Sequence, residues 1–144
     1  MRTNPFSQDL VMLVGRIFLS LVFLVAASDK ILHFGANMAY MGQHGVPFAS
    51  LFLIIALLVE LVGALMILLG WHARWGALIM LLFVVIVTMV FHTFWNYPPA
   101  EVANQSLHFF KNFAIIGGML YVIACGSGRF SLDRLFYANK KITP

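Results

Sequence analysis

The stretch FHTFWNYPPAEVANQSLHFFKN, residues 91–112, joins the end of one apolar segment to the start of the next through a polar turn. Its turn contains Pro98 and Pro99, and proline interrupts a helix because it removes a hydrogen-bond donor and clashes with the preceding turn. On each side the apolar character continues for about 20 residues, the length of a helix that crosses a bilayer. The stretch therefore predicts two membrane-spanning helices joined by a short loop.

The composition of the whole chain is that of an integral membrane protein. Of its 144 residues, 62% are hydrophobic and 10% are charged, whereas about 25% of the residues of a soluble domain are charged. The mean hydropathy is +0.93. We expect one domain over residues 1–144 with the lipid bilayer as its surroundings. The sequence has no Gly-rich phosphate loop and no basic tract, so no nucleic-acid partner is expected.

Four apolar runs have the length of membrane spans. The predicted helices cover about 10–28, 48–70, 75–95 and 107–125. The first run exceeds the core of a signal peptide and contains Arg16, so we expect a retained helix. Short connections favour an up-down-up-down arrangement. The predicted fold is an all-α, four-transmembrane-helix bundle with a short amphipathic C-terminal segment at 131–137, for which Ser131 is the expected N-cap.

The positions of lysine and arginine predict the orientation of the bundle. Six of these residues fall on one side: Arg2, Arg74, Arg129, Arg134, Lys140 and Lys141. The other side has two, Lys30 and Lys111. Positive charge accumulates in cytoplasmic loops, so we expect both termini to be cytoplasmic.

Two charged residues lie deep in predicted spans. Arg16 is about 9 Å from the cytoplasmic end of the first helix and Glu60 about 15 Å from that of the second. The difference is within the reach of an arginine side chain, so we predict an ion pair between these helices. Charge inside a membrane is costly and has a partner or a task. The pair therefore either fixes the helix register or forms a proton or substrate site.

A second polar group lies near the opposite face. His108, Lys111 and Asn112 share one face of the fourth predicted helix, because their spacing is i, i+3, i+4. Lys111 lies inside the span, and we expect it to reach Asp29 at the end of the first helix. These residues predict an outward-facing polar pocket with further contributions from Lys30, His33, His92 and Trp95.

The candidate ligands do not favour a metal site. Zinc needs three or four clustered His, Cys or carboxylate ligands. The sequence has one cysteine, Cys125, and only His92 and His108 come from facing predicted helices. We therefore expect no metal site; haem held between these two histidines remains a geometric alternative.

A series of short motifs follows one order along nearly the whole chain. They are Gly15-Arg16, SDKIL at 28–32, ELVGA at 60–64, LLG at 68–70, Arg74, HTFW at 92–95, FFKN at 109–112, GG at 117–118 and GSGRFSLD at 126–133. In these motifs the chain resembles the DoxX family, small four-helix inner-membrane proteins of bacteria. It departs from the family where Ser28 or Asp29 replaces a frequent glycine. The resemblance implies a bacterial inner-membrane location.

The resemblance also implies a redox-linked role, because the family is associated with quinone-linked sulfur oxidation and with partners of oxidative-stress enzymes. The chain lacks paired cysteines for a thiol relay. Our leading hypothesis is a quinone-linked or redox-associated membrane subunit; whether it is an enzyme stays open. The predicted catalytic residues are Glu60, Arg16 and Lys111, and the predicted ligand-binding residues are Asp29, Lys30, His92, Trp95, His108 and Asn112.

In this hypothesis a quinone carbonyl accepts hydrogen bonds from His92, His108 or Lys111, and Glu60 exchanges a proton. The quinone ring is expected to pack on aromatic residues, namely Phe94, Trp95, Phe109 and Phe110. Two alternatives remain open. One is a carrier for a small molecule or lipid-like ligand, gated by Arg16 and Glu60. The other is a non-catalytic assembly or scaffold subunit, with a redox enzyme or a second copy of the chain as partner.

Overall fold

The computed structural model describes residues 4–140. In this part of the chain there are six α-helices and no strand. The helices are α1 Pro5–Leu32, α2 Phe34–Gln43, α3 Ala49–Leu69, α4 Ala73–Phe91, α5 Pro99–Cys125 and α6 Leu132–Lys140. A 3-10 turn, Phe94–Asn96, separates α4 from α5. The helices α1, α3, α4 and α5 are long and apolar enough to cross a membrane, which confirms the predicted fold class.

Two spanning helices are longer than their apolar runs. α1 has 28 residues and α5 has 27, so each is about 40 Å long and exceeds a hydrocarbon core of about 30 Å. The prediction placed the start of the last helix at about residue 107, whereas α5 begins at Pro99. Proline is favoured in the first turn of a helix, and Glu101 lies in that turn, where the helix dipole stabilises an anion.

The helix α2 was missed by the sequence analysis, which treated this segment as part of a loop. It follows α1 after the single residue His33. Asp29 binds both sides of this corner: its Oδ1 lies 2.9 Å from His33 Nδ1, and its Oδ2 accepts a hydrogen bond of 3.1 Å from Asn37. The spacing of these three residues, i, i+4 and i+8, was the available signal for a continuing helix.

The core lies between α3 and the helices α1, α4 and α5. Its largest cluster includes Phe23, Ile67, Met80 and Met119, each at most 5% exposed. Small residues let α3 and α4 approach closely, as is common between helices in membranes. A Cβ atom added at Gly76 of α4 would lie 2.7 Å from the Cβ of Met66 on α3. Glycine is thus required at this crossing.

Both ends of the described chain meet at one end of the bundle, which we call the terminal end. The Arg129 backbone N–H donates to Asp9 Oδ1 over 2.9 Å, so the turn after α5 contacts the first turns of α1. The Asp133 N–H donates to the Gly70 carbonyl over 3.0 Å, which fastens α6 to the end of α3. The Ser131 hydroxyl accepts from the Arg134 N–H at 3.3 Å, as expected for the predicted N-cap. The opposite end, with α2 and the 3-10 turn, is the loop end.

Candidate functional site

The buried carboxylate of the bundle, that of Glu60, forms an ion pair with Lys30. The Lys30 Nζ lies 2.9 Å from Glu60 Oε1, and the Glu60 side chain is 6% exposed. The predicted ion pair between Arg16 and Glu60 is therefore wrong. The Arg16 guanidinium instead donates to the carbonyl of Phe130, beyond α5. A carrier gate made of Arg16 and Glu60 is not formed.

Side-chain direction explains this exchange of partners. Side chains on a helix lean toward its N-terminus. Arg16 on α1 consequently leans toward the terminal end and away from Glu60. Lys30 lies about 21 Å farther along α1 and leans back toward Glu60, with its Nζ also 3.5 Å from the Ala26 carbonyl. The prediction compared only the depths of Arg16 and Glu60 in the bilayer, and depth carries no information about side-chain direction.

The Lys30–Glu60 pair borders a small, partly open cavity of about 160 Å³ between α1, α2, α3 and α4. The second carboxylate oxygen, Glu60 Oε2, is buried and has no hydrogen-bond partner in the part of the chain that the structure describes. The other polar residues that line the cavity include Asn37, Tyr40 and His92. A water molecule occupies about 30 Å³ in the liquid. The cavity is therefore large enough for several water molecules, which can donate hydrogen bonds to Glu60 Oε2.

An aromatic cluster closes the loop end of this cavity. The rings of Tyr40 and His44 have centroids 4.3 Å apart, and Tyr40 stacks on Phe91 at 5.7 Å. His44 Nε2 lies 2.7 Å from the Tyr97 hydroxyl. Burial, with a smaller effect of neighbouring Tyr97, raises the pKa of Tyr40 to about 12. Its phenol is therefore neutral at physiological pH and remains a hydrogen-bond donor. The sequence analysis assigned no role to Tyr40 or His44.

The two predicted pocket histidines lie together but differ in surroundings. The rings of His92 and His108 stack with centroids 5.1 Å apart and an angle of 20°. His92 Nδ1 lies 2.8 Å from Oε1 of buried Gln105, so we assign the proton to Nδ1. Stacking places ring faces, rather than ring nitrogens, opposite each other, which is not the geometry of two axial haem ligands. Within residues 4–140 no three His, Cys, Asp or Glu side chains are grouped as a metal site requires.

Of the other predicted pocket residues, Lys111 contacts this pair of histidines, whereas Asp29 and Asn112 contact other elements. Lys111 Nζ lies 3.1 Å from His108 Nδ1, whereas Asp29 binds α2; the expected contact between Lys111 and Asp29 is wrong. Asn112 donates to the buried Thr88 hydroxyl over 2.9 Å and so joins α5 to α4. Trp95 is 58% exposed.

The aromatic residues expected around a quinone form a cluster that joins the 3-10 turn to α5. Phe94, Trp95, Phe109 and Phe110 contact one another, with centroid distances from 5.1 to 6.2 Å. Phe109 and Lys111 are two residues apart, which is about 200° around a helix, so they lie on opposite faces of α5. The packing of these rings on a quinone stays a prediction.

Lys111 instead borders an apolar groove between α1 and α5, of about 590 Å³. Its walls include Leu19 and Val22 of α1 and Ile115 of α5. Along α5 it extends from Lys111 to Gly126, about 22 Å. No atom lies within 4 Å of a Cβ added at Gly15, which also lines the groove. The groove was not predicted from the sequence. The available signal was one glycine on each of two helices that face each other in the structure, Gly15 and Gly118.

Comparison with known proteins agrees with this architecture. The DoxX family model matches residues 11–93, more than half of the chain. Inner membrane protein YqjF of Escherichia coli is 39% identical over 134 residues, which are 93% of this chain and 96% of that protein. Inner membrane protein YphA of the same organism is 29% identical over 128 residues, 89% of this chain and 91% of that protein.

A more distant relative is the Surfeit locus protein 4 homolog of Schizosaccharomyces pombe. It is 29% identical over 70 residues, which are 47% of this chain and 23% of that protein. No solved structure shows significant similarity to the chain. The family match and the two inner-membrane relatives confirm the resemblance inferred from the sequence motifs, and the chain belongs to the DoxX family.

Proposed function

We propose that this DoxX-family inner-membrane protein is a quinone-linked, redox-associated subunit that binds an isoprenoid quinone in the groove between α1 and α5. The proposal is carried by one observation: an apolar groove of about 590 Å³ has a lysine ammonium, that of Lys111, at its loop end. Arg16 also borders the groove, but its guanidinium is buried beside Gly70 and Ser131. None of the described side chains that line the groove is acidic.

The donors and the apolar walls match the chemistry of a quinone. A lysine ammonium has three N–H donors, and Lys111 directs one toward His108, so two can bind a carbonyl oxygen. A quinone carries acceptors on its ring and a long apolar tail. Lys111 would bind the ring carbonyl, and the tail would extend along Leu19 and Ile115.

Of the residues predicted as catalytic, only Lys111 and Arg16 border this groove. Glu60 lines the cavity beside Lys30 instead, so we assign it no proton transfer to the quinone. When bound, the quinone would supply the electron-transfer chemistry. The role of the chain would be to hold the ring at Lys111 and to exclude water along the tail. The partner that this function requires is a redox enzyme that exchanges electrons with the quinone.

A pair of glycine variants tests the groove. Gly15→Leu places a side chain in the groove, since Gly15 lines it and an added Cβ meets no atom within 4 Å. Gly117→Leu is the matched control: its Cβ is equally unobstructed, but it does not line the groove. We expect quinone, measured by absorbance after extraction of the purified protein, to be lost in Gly15→Leu and retained in Gly117→Leu. Lys111→Ala should weaken retention about tenfold, as for a charged hydrogen bond.

Two outcomes would contradict the proposal. One is wild-type protein, purified from quinone-containing membranes, that carries no quinone. The other is equal quinone content in the two glycine variants. Size-exclusion chromatography checks that each variant remains folded, so that loss of quinone is separated from loss of the protein.

We infer further that the terminal end faces the cytoplasm. Arg74, Arg129 and Arg134 lie at this end, and positive charge favours the cytoplasmic side. A single cysteine at exposed Ser7 or exposed Ala100, in a Cys125→Ser background, reports the side. A membrane-impermeant maleimide added to spheroplasts should label Ala100→Cys and leave Ser7→Cys unlabelled. The reverse labelling would show the opposite orientation.

A further inference from the structure

A third concave surface, the terminal cleft, lies where α3, α4, α5 and α6 meet. Its volume is about 760 Å³, and its polar lining includes Trp71, His72, Arg74, Trp75, Ser127 and Asp133. It shares Cys125 and Gly126 with the wall of the α1/α5 groove, but Lys111 and Arg16 do not line it. The kind of ligand that the cleft can bind depends on which of its polar groups already have hydrogen-bond partners within the protein.

Arg74 is the main charged group of the cleft with free hydrogen-bonding capacity. Its Nη2 donates to the Ala124 carbonyl over 3.3 Å, and a guanidinium has five N–H donors. A Cβ added at Gly126 would lie 3.3 Å from Arg74 Nε, so the guanidinium packs directly on the backbone at the end of α5. The side chain is thereby positioned while most of its donors remain available.

Among the described residues that line the cleft, the one carboxylate, Asp133, already has hydrogen-bond partners within the protein. Asp133 Oδ1 accepts from the His72 N–H over 2.8 Å. Its Oδ2 accepts from the Ala73 N–H and the Ser127 hydroxyl, each over 3.4 Å. Its charge therefore caps the start of α4, where the helix dipole stabilises an anion. The remaining groups of the cleft are mainly donors, so an occupant must supply acceptors.

Two tryptophans indicate the depth of the cleft in the bilayer. Trp71 and Trp75 flank the turn between the spanning helices α3 and α4 and are 47% and 64% exposed. Indole rings concentrate at the membrane–water interface, at the level of lipid head groups. Their N–H groups add two further donors beside Arg74.

We propose that the terminal cleft binds the phosphate of an anionic phospholipid, with Arg74 as its main ligand and Trp71 and Trp75 as donors on its rim. A phosphate diester supplies only acceptors, and the planar guanidinium matches two of its oxygens. The lipid's acyl chains would follow the exposed apolar surface of α4 into the bilayer. Its proposed ligands do not line the quinone groove, so this proposal does not rest on quinone binding.

Native mass spectrometry of the purified protein tests the site, with Arg74→Gln and Arg129→Gln as matched variants. Arg129 lies at the same end and is 67% exposed, but it does not line the cleft. We expect the wild type and Arg129→Gln to retain phosphatidylglycerol over phosphatidylcholine. Retention by Arg74→Gln should fall about fivefold, as for the loss of one basic residue at a membrane surface. Trp75→Ala, at a position that is 64% exposed, should also reduce retention.

Equal retention of the two lipids, or equal losses in Arg74→Gln and Arg129→Gln, would overturn the proposal. So would release of phosphatidylglycerol by millimolar inorganic phosphate, which would indicate a site for free phosphate rather than for a lipid. Chromatography and thermal unfolding of each variant in detergent separate loss of the lipid from loss of the fold. A Trp75→Ala variant that is folded and retains phosphatidylglycerol fully would contradict the role of the cleft rim.

Discussion

Replacing Lys30 by methionine is expected to destabilise the protein by about 3–5 kcal/mol, the cost of removing one partner of a buried ion pair. Glu60 is the reason. Its side chain is 6% exposed, and its Oε2 already lacks a partner among the described residues. Without Lys30, both carboxylate oxygens would be buried without a cation. The carboxylate must then remain unpaired or take up a proton, and both lower the stability at neutral pH.

The double variant Lys30→Met/Glu60→Leu should recover most of this loss, because a well-packed apolar pair replaces a buried ion pair at little cost. Thermal unfolding of the single and double variants in one detergent measures the coupling between the residues. Lys111→Met is the matched control. Lys111 is also a lysine within a spanning helix, but it is exposed and its partner is His108; its loss should cost below about 1 kcal/mol.

A Lys30→Met variant as stable as Lys111→Met would show that the Lys30–Glu60 pair contributes little. A double variant no more stable than Lys30→Met would show that Glu60 is not the group harmed by removing Lys30. Either result would contradict the assignment of Lys30–Glu60 as a stabilising buried ion pair.

Replacing Gly70 by alanine is expected to destabilise the protein by about 2–5 kcal/mol. Gly70 ends α3 with φ 66°, in the left-handed region where a Cβ costs about 1–2 kcal/mol. In addition, an added Cβ would lie 2.5 Å from the Cβ of Ser131 and would overlap the Arg16 guanidinium. Overpacking of this kind costs about 1–3 kcal/mol. The variant must move α6 away from the end of α3 or strain the turn.

Gly117→Ala is the control for Gly70→Ala. Gly117 lies inside α5, and an added Cβ meets no atom within 4 Å. Alanine is favoured over glycine inside a helix by about 0.5–1 kcal/mol, so this variant should be as stable as the wild type or slightly more so. Thermal unfolding measures both effects, and hydrogen exchange in α6 should rise only in Gly70→Ala. Equal stability of the two variants would show that the turn at Gly70 tolerates a side chain.

The spanning helices were predictable because a bilayer imposes a simple requirement. Buried backbone groups must be satisfied within the span, and a helix of about 20 apolar residues does this locally. Hydropathy therefore located all four spans, although it missed the polar first turns of α5. The short helix α2 has no such length signature, and only the spacing of Asp29, His33 and Asn37 indicated it.

The site was less predictable, because the partner of a polar side chain depends on directions and faces that the sequence does not state. Glu60 was correctly singled out as buried charge, but its partner is Lys30 rather than Arg16. Lys111 was singled out as unusual, yet it borders the α1/α5 groove instead of meeting Asp29. The groove itself is a gap between helices distant in the chain, and no local pattern describes a gap.

The sequence by itself determined that the chain is an all-α membrane protein of four spanning helices and that it resembles the DoxX family, because length, hydropathy and motif order are properties of the chain alone. Only the tertiary structure decided which charges meet, which rings pack together and where the cavities lie. The physical reason is that the lean of side chains toward a helix N-terminus and the rotation of each helix about its axis select partners among residues that depth alone cannot distinguish.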